Sequence, residues 1–192
     1  MFKLKGKWGP LVLISFATFI MLIDTTAMNV SITYLVRDLD TTVGEIQNIM
    51  SVYALIMAAL MLLGAKIADI IGKTKAFVFG AVIYGIGTSI ASLSVNTTML
   101  LIGWSVVEGI AAALMMPTVL SLITSIYEGK DRAIAFSIYG TMVSLALCAG
   151  PILGGTISTF LSWRFVFGGE LIIVILILLF SKTFSNIKSE KK

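Results

Sequence analysis

The stretch LVLISFATFIMLIDTTAMNVSI, Leu11 to Ile32, decides the fold class of this 192-residue chain. It is long enough to cross a bilayer as an α-helix, which takes about 20 residues, and its single ionisable side chain is Asp24. Over the whole chain 58% of the residues are hydrophobic and 12% are charged, a composition typical of membrane proteins. A backbone in lipid must satisfy its own hydrogen bonds. The sequence therefore predicts an all-α membrane protein.

Further apolar stretches separated by short polar breaks bring the number of predicted transmembrane helices to six. They cover residues 11–32, 46–65, 76–93, 99–124, 133–160 and 165–181. None has the alternating pattern of a barrel strand. The first is too long for a signal-peptide core, so we interpret it as a retained span. We expect residues 1–192 to form a single six-helix bundle.

The positions of lysine and arginine predict the orientation. With a cytoplasmic amino terminus, only Arg37 and Arg164 of the fourteen basic residues lie outside, as the positive-inside rule requires. The residues expected on the inside are Lys3, Lys5, Lys7, Lys66, Lys73, Lys75, Lys130, Arg132, Lys182, Lys188, Lys191 and Lys192. We therefore expect a multi-pass plasma-membrane protein with both termini in the cytoplasm. Because the basic residues are spread over the helix ends, the net charge of +4 does not indicate a nucleic-acid partner.

Residue types that the chain lacks exclude several kinds of chemistry. It has no histidine and one cysteine, Cys148, which leaves no typical zinc site, Ser-His triad or internal disulfide. No nucleophile is paired with a base, and no phosphate-binding loop is present. We expect no enzyme activity, metal or cofactor. Proton handling must rest on carboxyl groups, and those inside the apolar stretches are Asp24, Glu108 and Glu170.

Each of these acids has a functional and a structural interpretation. A carboxylate at membrane depth costs about 3 kcal/mol on insertion scales, so it usually faces a bundle interior or a watery cavity. Asp24 either belongs to a transport site or forms a structural hydrogen bond, to Thr25, Thr26 or a neighbouring helix. Glu108 has the same alternatives. Glu170 lies nearer the outer surface, where Arg164 can draw it toward the interface.

Small residues and charges mark two further segments. In helix 5 the residues that predict close helix packing, with a kink at the proline, are Gly140, Gly150, Pro151, Gly154 and Gly155. Their partner is either a helix of this chain or a second copy.

The loop GAKIADIIGKTKA, residues 64–76, combines a glycine suited to a tight reversal with a charged turn. If only its charges are considered, the loop is interpreted as a turn exposed to solvent.

Four motifs in order resemble the major facilitator superfamily, in particular the amino-terminal six-helix half of its fourteen-helix drug:proton antiporters. They are IDTTAMNVSITYL (23–35), GAKIADIIGK (64–73), GPILGG (150–155) and WRFVF (163–167). The resemblance implies one bundle of 3+3 inverted repeats. It assigns Asp24, Thr25 and Asn29 to the helix 1 signature, Gly64, Asp69, Gly72 and Lys73 to the gating loop, and Gly140 with the GPILGG residues to the helix 5 signature.

The chain also departs from the pattern of that family. Ile70 stands where the loop motif has arginine, which makes Lys73 the expected partner of Asp69. Ser105 stands where helix 4 carries an arginine thought to take part in proton transfer, and Glu170 replaces an asparagine. We therefore assign proton coupling to Asp24 and Glu108. The predicted substrate-cavity residues are Thr25, Asn29, Ser105 and Glu170.

Six helices supply one wall of a transport path, since members of the superfamily pair two such bundles. Two copies can pair in parallel, a separate partner can supply the second half, or the chain is a fragment or decayed half. We predict proton-coupled efflux of an organic, drug-like solute by a half-transporter in the lipid bilayer. The alternative is a non-transporting membrane subunit.

Overall fold

The computed structural model describes residues 6–186, and most of them lie in six long helices. The helices are α1 (Gly9–Asp38), α2 (Val43–Ile71), α3 (Lys73–Ser92), α4 (Thr97–Ile126), α5 (Gly129–Phe160) and α6 (Arg164–Phe180). A 3-10 segment, Ser181–Asn186, follows α6. Of the predicted inside charges, Lys3, Lys5, Lys188, Lys191 and Lys192 lie outside the described residues.

Helices α1 and α2 extend well beyond their apolar stretches. Helix α1 ends at Asp38 and α2 at Ile71, whereas their apolar runs end earlier, at Ile32 and Ala65. An apolar run marks the part of a helix in the hydrocarbon, whereas backbone hydrogen bonds continue into the polar interface. Five of the described helices are long and apolar enough to cross a membrane. The sixth, α6, has 17 residues, the short end of the range for a span.

The connection between α2 and α3 is much shorter than the predicted loop over residues 64–76. Gly72 alone separates the two helices, with φ 94° and ψ 135°, a conformation that glycine adopts without strain. The prediction that Gly64 belongs to this loop is wrong, because Gly64 lies inside α2. A Cβ on Gly64 would stand 2.3 Å from the carbonyl oxygen of Ala113 in α4. Gly64 therefore permits close packing of α2 on α4.

The helices pack in a regular pattern. Helix α1 packs most extensively on α5, α2 on α4, and α3 on both α4 and α6. In their most apolar windows α1 and α4 are 67% and 61% buried, whereas α2 and α5 are only 11% and 17% buried. The bundle thus centres on α1 and α4 and leaves much of α2 and α5 uncovered.

The glycines of α5 contact α1 of the same chain. A Cβ on Gly154 would stand 2.6 Å from the Cα of Ala27, and one on Gly150 would stand 2.7 Å from the Cβ of Thr26. The interpretation that these two glycines pack on a second copy is therefore wrong, since α1 already fills that space. Gly140 has no neighbour within 4 Å of a built Cβ, so it packs on no described helix of this chain, and its role in helix packing stays a prediction. Helix α5 continues through Pro151 to Phe160.

Polar contacts tie the helix ends together on both sides of the bundle. At one end Lys7 forms a 3.0 Å ion pair with Asp131, and the Tyr127 hydroxyl donates to the Lys7 carbonyl at 2.9 Å. Partial burial raises the pKa of Tyr127 to about 12, which keeps that hydroxyl protonated as a donor. At the other end Arg164 pairs with Asp38.

Candidate functional site

Three carboxyl groups from distant parts of the sequence meet inside the bundle. Asp24 on α1, Glu108 on α4 and Glu170 on α6 each place one carboxyl oxygen within 4.8 Å of the others. Asp24 and Glu108 are 0% exposed and Glu170 is 2% exposed. Two unit charges at this separation repel by about 3 kcal/mol at an effective dielectric constant of about 20. The cluster therefore needs protons or a cation to balance its charge.

The carboxyl group of Asp24 is held by α4. Trp104 Nε1 donates to Asp24 Oδ2 at 2.7 Å, whereas Asp24 Oδ1 has no donor. The sequence offered Thr25, Thr26 or a neighbouring helix as the structural partner of Asp24, and the partner is the neighbouring helix. Thr25 and Thr26 instead donate to the carbonyl oxygen of Leu22 at 3.1 and 2.9 Å.

The carboxyl group of Glu108 faces α3. Thr88 Oγ1 donates to Glu108 Oε2 at 3.0 Å, and Glu108 Oε1 has no donor. Tyr84, one helical turn before Thr88, lies beside Glu108 but outside hydrogen-bond geometry. Close backbone approach makes this possible, because a Cβ on Gly87 would stand 2.8 Å from the carbonyl oxygen of Gly103. The two glycines let α3 and α4 touch next to the cluster.

Glu170 has no hydrogen-bond donor on either carboxyl oxygen. The prediction that Arg164 draws it toward the interface is wrong: Arg164 pairs with Asp38 and donates to the Ser94 carbonyl at 2.7 Å. Phe167, one turn before Glu170, makes an edge contact with Trp104 at 6.3 Å between ring centroids. Glu170 thus belongs to the same buried group as Asp24.

A π-helical segment over Leu101–Glu108 carries both Trp104 and Glu108. A π turn widens the helix and shifts the register of the side chains, and such turns are frequent at functional sites. Trp104 and Glu108 are both buried, so the segment turns them toward the bundle interior. Pro117, inside the same helix, lies well past the segment.

No lysine or arginine whose side chain is described is buried, so the described side chains place no buried cation beside the cluster. Ser105, where the family has arginine, is also buried and donates to the Ile49 carbonyl at 2.7 Å. The prediction that Ser105 and Glu170 line an open cavity is wrong for this structure, because tight packing closes over both. Each instead contributes to the interior of the bundle.

The remaining residues of the helix 1 signature lie nearer the surface. Asn29 is exposed and its side-chain amide donates to the Thr25 carbonyl at 2.7 Å, while Thr25 is half-buried. Thr25 directly follows Asp24 on α1 and Asn29 lies five residues after it, and the other described helices leave these two side chains partly open.

The charged residues at the α2–α3 connection do not pair as expected. Asp69 is exposed near the end of α2. Lys73 opens α3 and its Nζ donates to the Ser121 carbonyl at 3.4 Å, and no salt bridge joins these two described side chains. The prediction that Lys73 pairs with Asp69 is wrong, because the side chain of Lys73 reaches α4 instead.

Sequence reasoning did not assign Trp104, Thr88, Tyr53 and Tyr84 to the site. Tyr53 stacks on Trp104 at 5.2 Å between ring centroids. The spacing Trp104 to Glu108 was an available signal, since residues four apart share a helix face. No comparable signal links Thr88, Tyr53 or Tyr84 to an acid on another helix.

The chain belongs to the Major Facilitator Superfamily, which residues 14–192 match, and this confirms the resemblance seen in the motifs. It is 26% identical over 164 residues to the riboflavin transporter RibZ of Clostridioides difficile, covering 85% of this chain and 36% of that protein. It is 28% identical over 158 residues to the methylenomycin A resistance protein of Bacillus subtilis, covering 82% and 34%. The chain thus spans about a third of the length of these relatives.

A solved structure of the peptide transporter POT in complex with sulfate has the same fold. It aligns with a TM-score of 0.80 at 19% identity and covers 94% of this chain and 40% of that one. The family is one of transporters with drug-resistance members, not of enzymes. The chain is accordingly a multi-pass protein of the plasma membrane.

Proposed function

We propose that this chain forms one wall of a proton-coupled exporter of an organic, drug-like solute, with Asp24 and Glu108 as the proton-carrying groups. The observation that carries the proposal is the buried carboxyl cluster at the centre of a major facilitator bundle without a buried cation among the described side chains. Ionisable groups inside a membrane bundle commonly form proton relays in transporters. The drug-resistance relatives favour export of an organic solute.

The packing pattern supports two inverted repeats, α1–α3 and α4–α6, each helix crossing the membrane. Two such repeats would relate α1 to α4, α2 to α5 and α3 to α6. Under this exchange, the contact between α1 and α5 corresponds to the contact between α4 and α2. The same exchange leaves the α3–α6 contact unchanged. The α1–α5 and α2–α4 contacts are of similar extent, as expected for a pseudo-two-fold axis in the membrane plane, whereas the α3–α4 contact is more extensive than its counterpart, α1–α6.

The uncovered faces of α1, α2 and α5 support a second bundle opposite this one. They expose polar side chains, which are costly in contact with lipid. These are Asn29, Gln47, Asn48, Ser51, Ser137, Thr141 and Ser144. A second six-helix unit over this face, either a parallel copy or a partner half, encloses a polar path for the solute. Thr25 and Asn29 line that path in the proposal, with both chain termini in the cytoplasm.

The coupling works by alternating access. Opening to the outside lets water reach the cluster and load a proton on Asp24 or Glu108. The solute binds from the cytoplasmic side, and release of the proton inward accompanies its expulsion. Each charge that crosses the field supplies about 2.3 kcal/mol per 100 mV. The short Gly72 connection, with Asp69 and Lys73 beside it, acts in the rocking of the bundle.

The experiment is ethidium uptake into everted membrane vesicles driven by an imposed proton gradient. Asp24→Asn and Glu108→Gln should each abolish gradient-driven uptake while expression and helix content stay normal. Asp40→Asn is the control, because Asp40 is an exposed acid at the end of α1. Full uptake by the Asp24→Asn protein would remove Asp24 from the mechanism.

The second candidate function is a non-transporting membrane subunit, or a fragment or decayed half of a longer transporter, in which the cluster only maintains packing. Light scattering of the purified protein in detergent separates the two functions. A dimer, or a complex with a second half, that moves ethidium after reconstitution supports the exporter. A monomer that moves none supports the alternative.

A further inference from the structure

We propose that the cluster of Asp24, Glu108 and Glu170 is a binding site for a hard divalent cation, with Ca²⁺ as the best fit. The cation takes the place of two of the three protons that would otherwise neutralise the carboxyl groups. The site uses the same acids as the proposed function, but its test measures binding to the chain and needs no transport. Failure of either proposal therefore leaves the other standing.

The free carboxyl oxygens supply the first ligands. Each acid places one oxygen within 4.8 Å of the others. Asp24 Oδ2 and Glu108 Oε2 are occupied by Trp104 and Thr88. Asp24 Oδ1, Glu108 Oε1 and both oxygens of Glu170 have no donor among the described residues. Buried acceptors without partners are costly, and a hard cation binds such oxygens directly.

Two buried phenol groups point to a ligand independently of the acids. Tyr53 is 2% exposed and Tyr84 is 0% exposed, and neither hydroxyl has a hydrogen-bond partner in the described structure. Tyr84 lies beside Glu108. Tyr53 stacks on the indole that holds Asp24, and Tyr84 shares a face of α3 with Thr88. With their two oxygens, these five side chains carry six buried oxygens that have no hydrogen-bond partner in the described structure.

The number and type of these oxygens select the ion. Ca²⁺ takes six to eight oxygen ligands in flexible geometry, whereas Mg²⁺ needs a near-ideal octahedron and dehydrates reluctantly. The proposed ligands come from five packed helices in a dry interior. This arrangement suits Ca²⁺, because Ca²⁺ tolerates an irregular ligand geometry better than Mg²⁺ does. Zinc and the softer transition metals prefer histidine and cysteine, and the chain has no histidine and one exposed cysteine.

Charge balance is consistent with the same choice. Three carboxylates carry three negative charges, and no described lysine or arginine side chain is buried among them. A divalent ion together with one retained proton makes the cluster neutral. A neutral cluster avoids the cost of net charge in a low-dielectric interior.

The test is equilibrium binding of ⁴⁵Ca²⁺ to the full chain, purified in a neutral detergent and stripped with EGTA. We expect one saturable site per chain, displaced by unlabelled Ca²⁺ at much lower concentration than by Mg²⁺ or Na⁺. Glu170→Gln should weaken binding more than about tenfold, the scale of losses at metal sites. Tyr53→Phe keeps the stacked ring and should weaken binding less. Asp40→Asn should bind like the unmodified chain.

Three results would overturn the proposal: no saturable binding, equal binding by the Glu170→Gln protein, or displacement by Na⁺ as effective as by Ca²⁺. Circular dichroism first establishes that each variant folds. Should the Glu170→Gln protein fail to fold, Glu108→Gln tests the same loss of a ligand, and unchanged binding there counts equally against the site.

Discussion

Trp104 Nε1 donates a 2.7 Å hydrogen bond to Asp24 Oδ2, which fixes the acid of α1 to the π-helical segment of α4. The bond joins residues 80 positions apart in the sequence. Neither atom is accessible to water, because Trp104 is 1% exposed and Asp24 is 0% exposed. The orientation of the Asp24 carboxyl group therefore depends on how α4 is turned.

Trp104→Phe should destabilise the protein by about 1–3 kcal/mol, the cost of leaving a buried acceptor without its donor. The measurement is the free energy of unfolding in detergent, followed by circular dichroism. Trp163→Phe is the matched control. Trp163 donates to Asp38 at 3.0 Å, and the side chain of Asp38 is 45% exposed, so water can replace the donor. Equal losses in the two variants would contradict a special role for the buried bond.

Gly154→Ala should destabilise the bundle by about 1–3 kcal/mol, the usual cost of overpacking. The added methyl group would stand 2.6 Å from the Cα of Ala27, and backbone atoms cannot move aside cheaply. Gly140→Ala is the control on the same helix, where a Cβ meets nothing within 4 Å. That change should be neutral or stabilise by about 0.5–1 kcal/mol. Thermal unfolding of both proteins checks the pair, and a stable Gly154→Ala protein would rule out the close α1–α5 contact.

Arg164→Ala should lower stability by about 1–3 kcal/mol, because it removes several contacts at once. Arg164 pairs with Asp38, donates to the Ser94 carbonyl and lies 4.4 Å from the ring centroid of Trp163. Arg164→Lys should recover only part of the loss, since lysine lacks the planar fork of donors. The exposed Arg37 at the same end is the control, and Arg37→Ala should change the unfolding temperature little.

Glu170→Met in EGTA should leave stability unchanged or raise it, because both carboxyl oxygens of Glu170 lack donors. Replacing a buried ionisable group by an apolar one of similar size is often neutral or stabilising. Thermal unfolding with and without EGTA measures the effect, with Asp40→Asn as the control for loss of an acid. A large loss of stability in EGTA would mean that Glu170 has a structural partner.

Hydropathy alone identified the membrane class and the approximate location of the helices, because burial in lipid depends on runs of about 20 neighbouring residues. Asp24, Glu108 and Glu170 were recognisable for the same reason, as rare ionisable residues inside such runs. Predictions of which residue a given side chain contacts were less accurate. The expected pairs Asp69–Lys73 and Glu170–Arg164 were wrong, and Gly64 belongs to a helix contact instead of a loop. Each depended on the direction of a side chain, which the sequence does not encode locally.

The sequence by itself determined that this is a helical membrane protein with three intramembrane acids and no histidine. Only the tertiary structure decided that the three acids meet, that Trp104 and Thr88 hold two of them, and that two buried tyrosine hydroxyls have no hydrogen-bond partner among the described residues. The reason is physical. Whether a segment enters the membrane is a sum over consecutive residues, whereas the meeting of α1, α4 and α6 depends on the rotation of each helix. That rotation is set by contacts such as Gly87 with Gly103, and by the π turn.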